Sequence, residues 1–189
     1  MHAILGKTWF VILSELNSKE IYKIAVVMGS DSDLNTLKPA IDILREFRIK
    51  TEVCILSAHR TPIEMMEYAK NAESENIKVI IAGAGGAAHL PGMLASITCI
   101  PVIGVPVESK TLKGIDSLLS IVQMPSGIPV ATVAINGGQY AGLLAIGMVS
   151  LFDESIKKNS KEFRENLHTQ VRNKNNKLST IGPDNYRLY

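Results

Sequence analysis

The sequence predicts a three-layer α/β domain in which a parallel sheet of about five strands is covered by helices on both faces. Short runs of β-branched residues alternate with amphipathic stretches from residue 23 to about residue 152. These short runs are apolar on both faces, which is typical of strands buried between two layers of helices. The length of 189 residues fits one such domain with extensions at its ends.

Local patterns predict the individual elements. Thr61 can cap the helix after the second strand, Pro62 suits its first position, and Glu64 completes a capping box. The first helix has an apolar face made of Leu34, Leu37, Ile41 and Leu44. Strands are predicted at 24–28, 51–56, 78–82, 102–105 and 130–135, and helices at 32–47, 62–76, 114–122 and 137–152, with a short one that ends near residue 97.

This order of elements is that of a flavodoxin-like (Rossmann-like) sheet. In such sheets ligands bind outside the carboxyl ends of the strands, where the strand order reverses. The chemistry should therefore come from the loops after the first four strands, at 29–33, 57–62, 83–92 and 106–113.

The two ends of the chain differ from its body. We interpret residues 1–21 as an N-terminal extension, because their apolar run at 9–13 is shorter than the core of a signal peptide. Residues 22–172 form one domain that ends with a helix over roughly 153–172. Residues 173–189 are polar and aperiodic, which predicts a flexible tail.

Composition argues against several classes of partner. The net charge is only +2, which argues against a nucleic-acid partner. Pro or Gly interrupts every apolar run well before the roughly 20 residues of a membrane span. Cys54 and Cys99 lie in apolar runs, so we expect two buried thiols in a reducing cytoplasm.

Two of the four histidines, His59 and His89, fall in loops at strand carboxyl ends. Two loops at one edge of a sheet can converge on a ligand, which favours a functional role for both. Arg60 follows His59 and lies before a helix N-terminus, where the guanidinium and the helix dipole both favour anions. A phosphorylated substrate and an imidazole that serves as acid and base fit this pattern. A surface ion pair is the alternative for Arg60.

The loop after the first strand offers hydroxyl, N–H and carboxylate groups. Ser30 can help to hold phosphate at a helix start, and Asp33 can accept hydrogen bonds from ribose hydroxyls. Simple helix capping is the alternative, above all for Asp31 and Ser32.

Gly83, Gly85 and Gly86 belong to a run that formally satisfies a dinucleotide fingerprint. The run follows the third strand rather than the first, so a dinucleotide cofactor is not predicted. We expect these glycines to let the backbone approach a flat ring, with His89 and Leu90 closing over it. No local pair of candidate ligands has metal-binding spacing, and neither a metal nor a cofactor is predicted.

Two other classes of protein share this fold. A flavodoxin-like electron carrier would have aromatic rings in the strand-end loops, which contain none in this sequence. A receiver-type signalling module would have its phosphoacceptor Asp at the end of the third strand, where Gly83 stands.

Four ordered segments carry a specific resemblance. They read VMGSDSD at 27–33, SAHRTP at 57–62, AGAGGAAHLPGM at 82–93 and DSLLSIVQMP at 116–125. With them the chain resembles the class I N5-carboxyaminoimidazole ribonucleotide mutases, also called catalytic subunits of phosphoribosylaminoimidazole carboxylase, over roughly residues 23–152. Tyr140 departs from the family pattern, which usually has Asn there.

The resemblance implies a carboxylate shift from the exocyclic N5 to the ring C4 of aminoimidazole ribonucleotide, without metal, ATP or organic cofactor. It implies that His59 is the acid/base and that Ser30, Asp33 and Arg60 hold the phosphoribosyl part. The residues implied to line the pocket around the base and the migrating carboxylate are Ser57, Gly83, Gly85, Gly86, His89 and Leu90. The related animal-type enzyme uses carbon dioxide directly and lacks the run at 89–92.

The resemblance also implies a homo-octamer. The predicted helix at 137–152 is rich in glycine, and glycine inside a helix costs about 0.5–1 kcal/mol relative to alanine. We expect close helix contacts between subunits to offset this cost.

Overall fold

The computed structural model describes residues 22–187, and the predicted extension at 1–21 lies outside the described residues. Five parallel strands form one sheet in the order β2-β1-β3-β4-β5. The strands are β1 Lys23–Met28, β2 Lys50–Ile55, β3 Ile77–Gly85, β4 Val102–Val107 and β5 Ala131–Thr132. The helices are α1 Leu34–Glu46, α2 Pro62–Asn71, α3 Leu90–Ala95, α4 Ile115–Val122, α5 Gly138–Val149 and α6 Glu154–Ile181.

Helices cover both faces of the sheet, which confirms the predicted flavodoxin-like fold. Alternate residues of β1 belong to opposite cores, as the pleat of a strand requires. Val26 packs in the core that contains α1 and α5. Val27 packs in the other core, with α2, α3 and α4. Within the described residues, no helix is long and apolar enough to cross a membrane.

Several boundaries differ from the prediction. The third strand extends to Gly85, because Gly83 and Gly85 pair with Val105 and Val107 of β4. The fifth strand is only Ala131–Thr132, at the edge of the sheet. Strand β2 forms the other edge of the sheet and exposes Val53 and Ile55. It is therefore not buried between two layers of helices, as the sequence predicted for the strands.

The first helix also begins later than predicted. A short 3-10 turn at Asp31–Asp33 precedes α1, and Leu34 is exposed rather than part of the buried face. Leu37, Ile41 and Leu44 are buried as predicted.

The last helix was predicted to end near residue 172 but continues to Ile181, so this predicted helix boundary was wrong. The spacing of Val171, Leu178 and Ile181 places them on one face of this helix. The polar residues between them make this pattern hard to recognise in the sequence. Asp153 caps the start of α6 by accepting hydrogen bonds from the N–H groups of Ser155 and Ile156.

Both cysteines are free thiols, and their surroundings differ. Cys54 is half-buried, and burial raises the pKa of its thiol to about 11. The prediction that Cys99 is buried was wrong, because Cys99 lies in the exposed turn before β4.

The glycines of α5 have an explanation within one chain. A Cβ atom on Gly138 would overlap the backbone oxygen of Thr36, and one on Gly142 would overlap the side chain of Ile43. These two glycines therefore let α5 pack closely against α1. The expectation that they serve contacts between subunits was wrong for this pair, whereas Gly147 faces open space.

Alanine substitutions at two glycines of α5 should therefore change the free energy of unfolding in opposite directions. Gly138→Ala should lower the free energy of unfolding by about 1–3 kcal/mol, because the new methyl group meets backbone that cannot turn away. Gly147→Ala should raise it by about 0.5–1 kcal/mol through helix propensity. Urea unfolding of both variants measures the difference. Equal effects at the two positions would contradict the packing of α5 on α1.

Candidate active site

A cavity of about 530 Å³ lies at the carboxyl edge of the sheet, a volume typical of small-molecule sites. It sits over β1 and β3, where the strand order reverses, in agreement with the rule for open α/β sheets. The predicted site residues that line it are Ser30, Asp33, Ser57, His59, Arg60, Gly85, Gly86, His89 and Leu90.

Gly83 does not line this cavity, although the sequence interpretation placed it there. It is buried inside β3, and a Cβ atom on it would lie 2.8 Å from Cδ1 of Leu37. The residue is therefore needed for the packing of α1 on the sheet. Sequence reasoning missed this because the third strand was expected to end at residue 82.

The two loop histidines meet in the cavity. Nε2 of His59 lies 2.8 Å from Nδ1 of His89, and the two rings are nearly perpendicular. One nitrogen must donate and the other must accept, so the contact fixes complementary tautomers. It cannot persist when both rings are protonated, because both nitrogens would then be donors. The pair therefore carries at most one extra proton while the contact is kept.

Arg60 connects the first two loops of the site. Its Nη2 donates to the carbonyl oxygen of Gly29 at 3.1 Å, and its Nε donates to Oγ of Ser57 at 3.3 Å. The backbone N–H of Arg60 donates to the same Oγ at 3.2 Å. These bonds hold the guanidinium at the mouth of β1, where it can meet an anion.

Thr61 does not cap α2 as predicted. Its hydroxyl group accepts from the N–H of Ser57 at 2.9 Å and donates to the carbonyl oxygen of Ser57 at 3.1 Å. Both bonds close the turn that carries His59 and Arg60. The capping residue type was recognised from the sequence, but its hydroxyl group stabilises the loop instead of the helix.

Asp33 is one of two polar side chains buried in the described residues. Its carboxylate accepts from the N–H of Ser30 at 3.1 Å, and the Ser30 hydroxyl donates to Asp31 at 2.9 Å. Burial raises the pKa of Asp33 above its ordinary value, and the N–H bond from Ser30 opposes this shift. The loop thus combines capping with a carboxylate that faces the cavity.

Asp33→Asn should stabilise the protein at neutral pH. With a raised pKa in the folded state, Asp33 favours folding below its unfolded pKa, and this contribution is lost as the pH rises through the folded pKa. Asparagine keeps an oxygen acceptor and removes the buried charge. The Tm at pH 7 should therefore rise by about 2–4 °C for each kcal/mol by which this removal increases the free energy of unfolding. Thermal unfolding from pH 3 to pH 7 measures this, with the exposed Asp31→Asn as control. A gain in Tm that does not shrink toward pH 3 would show that the buried charge of Asp33 is not its cause.

The sequence interpretation named no residue for the far wall of the cavity. Glu108 and Ser109 form that wall after β4. Oδ1 of Asn136 accepts from the N–H of Glu108 at 3.0 Å, and Asn136 has a left-handed φ of 56°. The Asn-Gly-Gly run after β5 is the signal that could have identified this turn.

No cluster of three or more His, Cys, Asp or Glu side chains that could hold a metal ion exists within residues 22–187. The cavity instead combines two imidazoles, one guanidinium, hydroxyl groups and one buried carboxylate. Such a set can bind a phosphorylated sugar and move a proton at a neighbouring ring.

Comparison with known proteins decides the family. The AIR carboxylase family model matches residues 23–170. The chain belongs to the AIR carboxylase family. The match extends beyond the resemblance at 23–152 and includes the first half of α6.

Similar AIR carboxylase family proteins differ in name and length. The N5-carboxyaminoimidazole ribonucleotide mutase of Thermotoga maritima is 56% identical over 164 residues, which are 87% of this chain and 96% of that protein. The phosphoribosylaminoimidazole carboxylase of Candida glabrata is 51% identical over 177 residues, which are 93% of this chain and 31% of that protein. The crystal structure of Treponema denticola PurE superposes with a TM-score of 0.76 at 29% identity, covering 82% of this chain and 98% of that one.

Proposed function

We propose that this chain converts N5-carboxyaminoimidazole ribonucleotide to 4-carboxy-5-aminoimidazole ribonucleotide in de novo purine (IMP) biosynthesis, in the cytoplasm. The observation that carries the proposal is the His59–His89 contact inside a cavity that also contains Arg60 and Asp33. The name of the Thermotoga maritima relative supports it. The reaction requires no metal or organic cofactor.

The phosphoribosyl part binds at the first two loops. Arg60 provides charge-assisted hydrogen bonds to phosphate from its position beside Gly29. Ser30 adds a hydroxyl group, and Asp33 accepts hydrogen bonds from ribose hydroxyls. The imidazole ring then lies against the wall formed by Gly85 and Gly86, where the absence of side chains permits close approach.

One proton carrier, His59, is sufficient for the proposed reaction, because it donates one proton and later removes one. The bond between N5 and the carboxylate carbon breaks, its electron pair stays on N5, and His59 donates a proton to N5. The released carbon dioxide is attacked by C4, which forms the new carbon–carbon bond. His59 then removes the C4 proton and returns to its starting state. In this scheme His89 shapes the pocket and fixes the tautomer of His59.

Retention of carbon dioxide requires a site closed to water. In the single chain His59, Arg60 and His89 are exposed, so the cavity is open. We propose that bound substrate and neighbouring subunits of a homo-octamer close it. Exposed apolar side chains on α4, such as Leu119 and Val122, are available for such contacts. Light scattering at micromolar concentration would exclude the octamer if it gave a monomer of 20.6 kDa.

Direct carboxylation of aminoimidazole ribonucleotide by carbon dioxide is the second candidate, favoured by the name of the Candida glabrata relative. The chain has the run His89-Leu90-Pro91-Gly92, and the resemblance to the mutases implies that this run distinguishes them from the animal-type enzyme.

A two-substrate assay separates the candidates. Purified protein is given either the N5-carboxylated ribonucleotide in bicarbonate-free buffer or aminoimidazole ribonucleotide with bicarbonate. The proposal predicts rapid formation of the C4-carboxylated product from the first substrate. Product from the second substrate only would favour the carboxylase, and no product from either would overturn both.

A further inference from the structure

Ser117 is a buried polar residue of α4 to which the proposed function assigns no role. Its side chain is fully buried. The hydroxyl group donates to the carbonyl oxygen of Val107 at 2.6 Å and accepts from the N–H of Gly86 at 2.9 Å. One side chain thus joins two walls of the cavity, at the ends of β3 and β4.

The segment that begins at Gly86 leads directly to His89. Gly86 has a left-handed φ of 65°, and its carbonyl oxygen accepts from the N–H of Ala88 at 2.9 Å. The carbonyl oxygen of Ala87 accepts from the N–H of His89 at 2.9 Å. His89 stands at the start of α3, and its ring contacts His59. The turn is therefore short, hydrogen-bonded and attached to the protein body at Gly86.

From this chain of contacts we propose that Ser117 is a positioning residue, which holds the His89 ring against His59 through the N–H group of Gly86. The inference rests on the proposed function, because its kinetic effect is measured in the mutase reaction. It also assigns a role to the DSLLSIVQMP segment at 116–125, which the predicted site residues leave unexplained.

Ser120, one turn further along α4, is a natural control. Its hydroxyl group donates to the carbonyl oxygen of Gly86 at 3.2 Å. That oxygen keeps its bond from Ala88 when Ser120 is removed, whereas the Gly86 N–H has no second acceptor among the described residues. Loss of the Ser117 hydroxyl should consequently free the turn, and loss of the Ser120 hydroxyl should not.

The test compares Ser117→Ala, Ser120→Ala and Ile146→Val. Ile146→Val removes one methyl group from the core on the opposite side of the sheet and controls for lost stability. Ser117→Ala should lower kcat on the order of tenfold, with little change in KM, because a displaced His89 ring no longer fixes the tautomer and position of His59. The pH dependence of kcat should shift with it. The two control variants should keep the wild-type kcat and pH profile.

A crystal structure of Ser117→Ala provides a readout that does not depend on activity. The distance between Nε2 of His59 and Nδ1 of His89 should increase from 2.8 Å to beyond about 3.2 Å. If the alanine variant does not fold, the near-isosteric Ser117→Cys replaces it, because a thiol is a weaker donor and acceptor.

The outcomes separate this inference from the proposed function. An unchanged histidine contact together with an unchanged kcat in the Ser117 variant would overturn the positioning role. A loss of kcat that Ile146→Val reproduces at equal stability would also overturn it. An inactive wild-type protein would refute the proposed function, and the histidine distance in the variant structure would still decide the role of Ser117.

Discussion

His59→Asn should lower turnover in the mutase reaction by about 10²–10⁴-fold or more, the contribution of a positioned acid/base group. Asparagine keeps the approximate size of the side chain and some hydrogen bonding but cannot carry the proton between N5 and C4. The affinity for substrate should remain nearly intact, because the proposed scheme assigns the phosphate contacts to Arg60 and Ser30 and not to His59. Steady-state kinetics and a binding titration on the same variant measure the two quantities separately.

His89→Asn is the matched control for this prediction. It removes the other partner of the hydrogen bond between His59 and His89. If His59 alone carries the proton, His89→Asn should lower turnover less than His59→Asn does. Exchange of labelled carbon dioxide into the C4-carboxylated product should follow the same order. A dead His89→Asn enzyme beside a His59→Asn enzyme with more than about a tenth of wild-type turnover would reverse the two roles.

Arg60→Ala should weaken substrate binding by about 1.5–3 kcal/mol, which is about ten- to a hundredfold in affinity. The substitution removes a charge from the mouth of β1 and also releases the hydrogen bonds to Gly29 and Ser57. Titration with the C4-carboxylated product at low and high salt measures the loss, which should be smaller at high salt.

Arg45→Ala serves as the control for Arg60. Arg45 lies exposed on α1, and its ion pair with Asp42 is local to that helix. Its removal should leave affinity unchanged. Equal affinity losses in Arg60→Ala and His59→Asn would contradict the separation of binding from chemistry.

The fold and the edge that carries the site could be predicted because both follow from local patterns. Alternating strands and helices determine the sheet type, and the sheet type determines which loops meet. Ser30, His59 and His89 were placed correctly in the cavity by this reasoning.

The remaining differences depend on tertiary contacts. Gly83 resembles a loop glycine in sequence, and only its contact with Leu37 reveals a packing role. The direct contact between His59 and His89 depends on the path of the turn that begins at Gly86. Hydrophobic periodicity in the sequence does not indicate this path. Ser117 stands within an amphipathic helix pattern, and its bond to Gly86 requires the helix to lie beside that turn.

In the proposed reaction the carboxylate moves within the cavity from N5 to C4 of the same ribonucleotide. The direct measurement is the fate of a labelled N5 carboxylate when the reaction runs in excess unlabelled bicarbonate. Transfer within the cavity predicts that most of the label appears at C4 of the product. A product that carries the unlabelled carbon of the bicarbonate pool would contradict it.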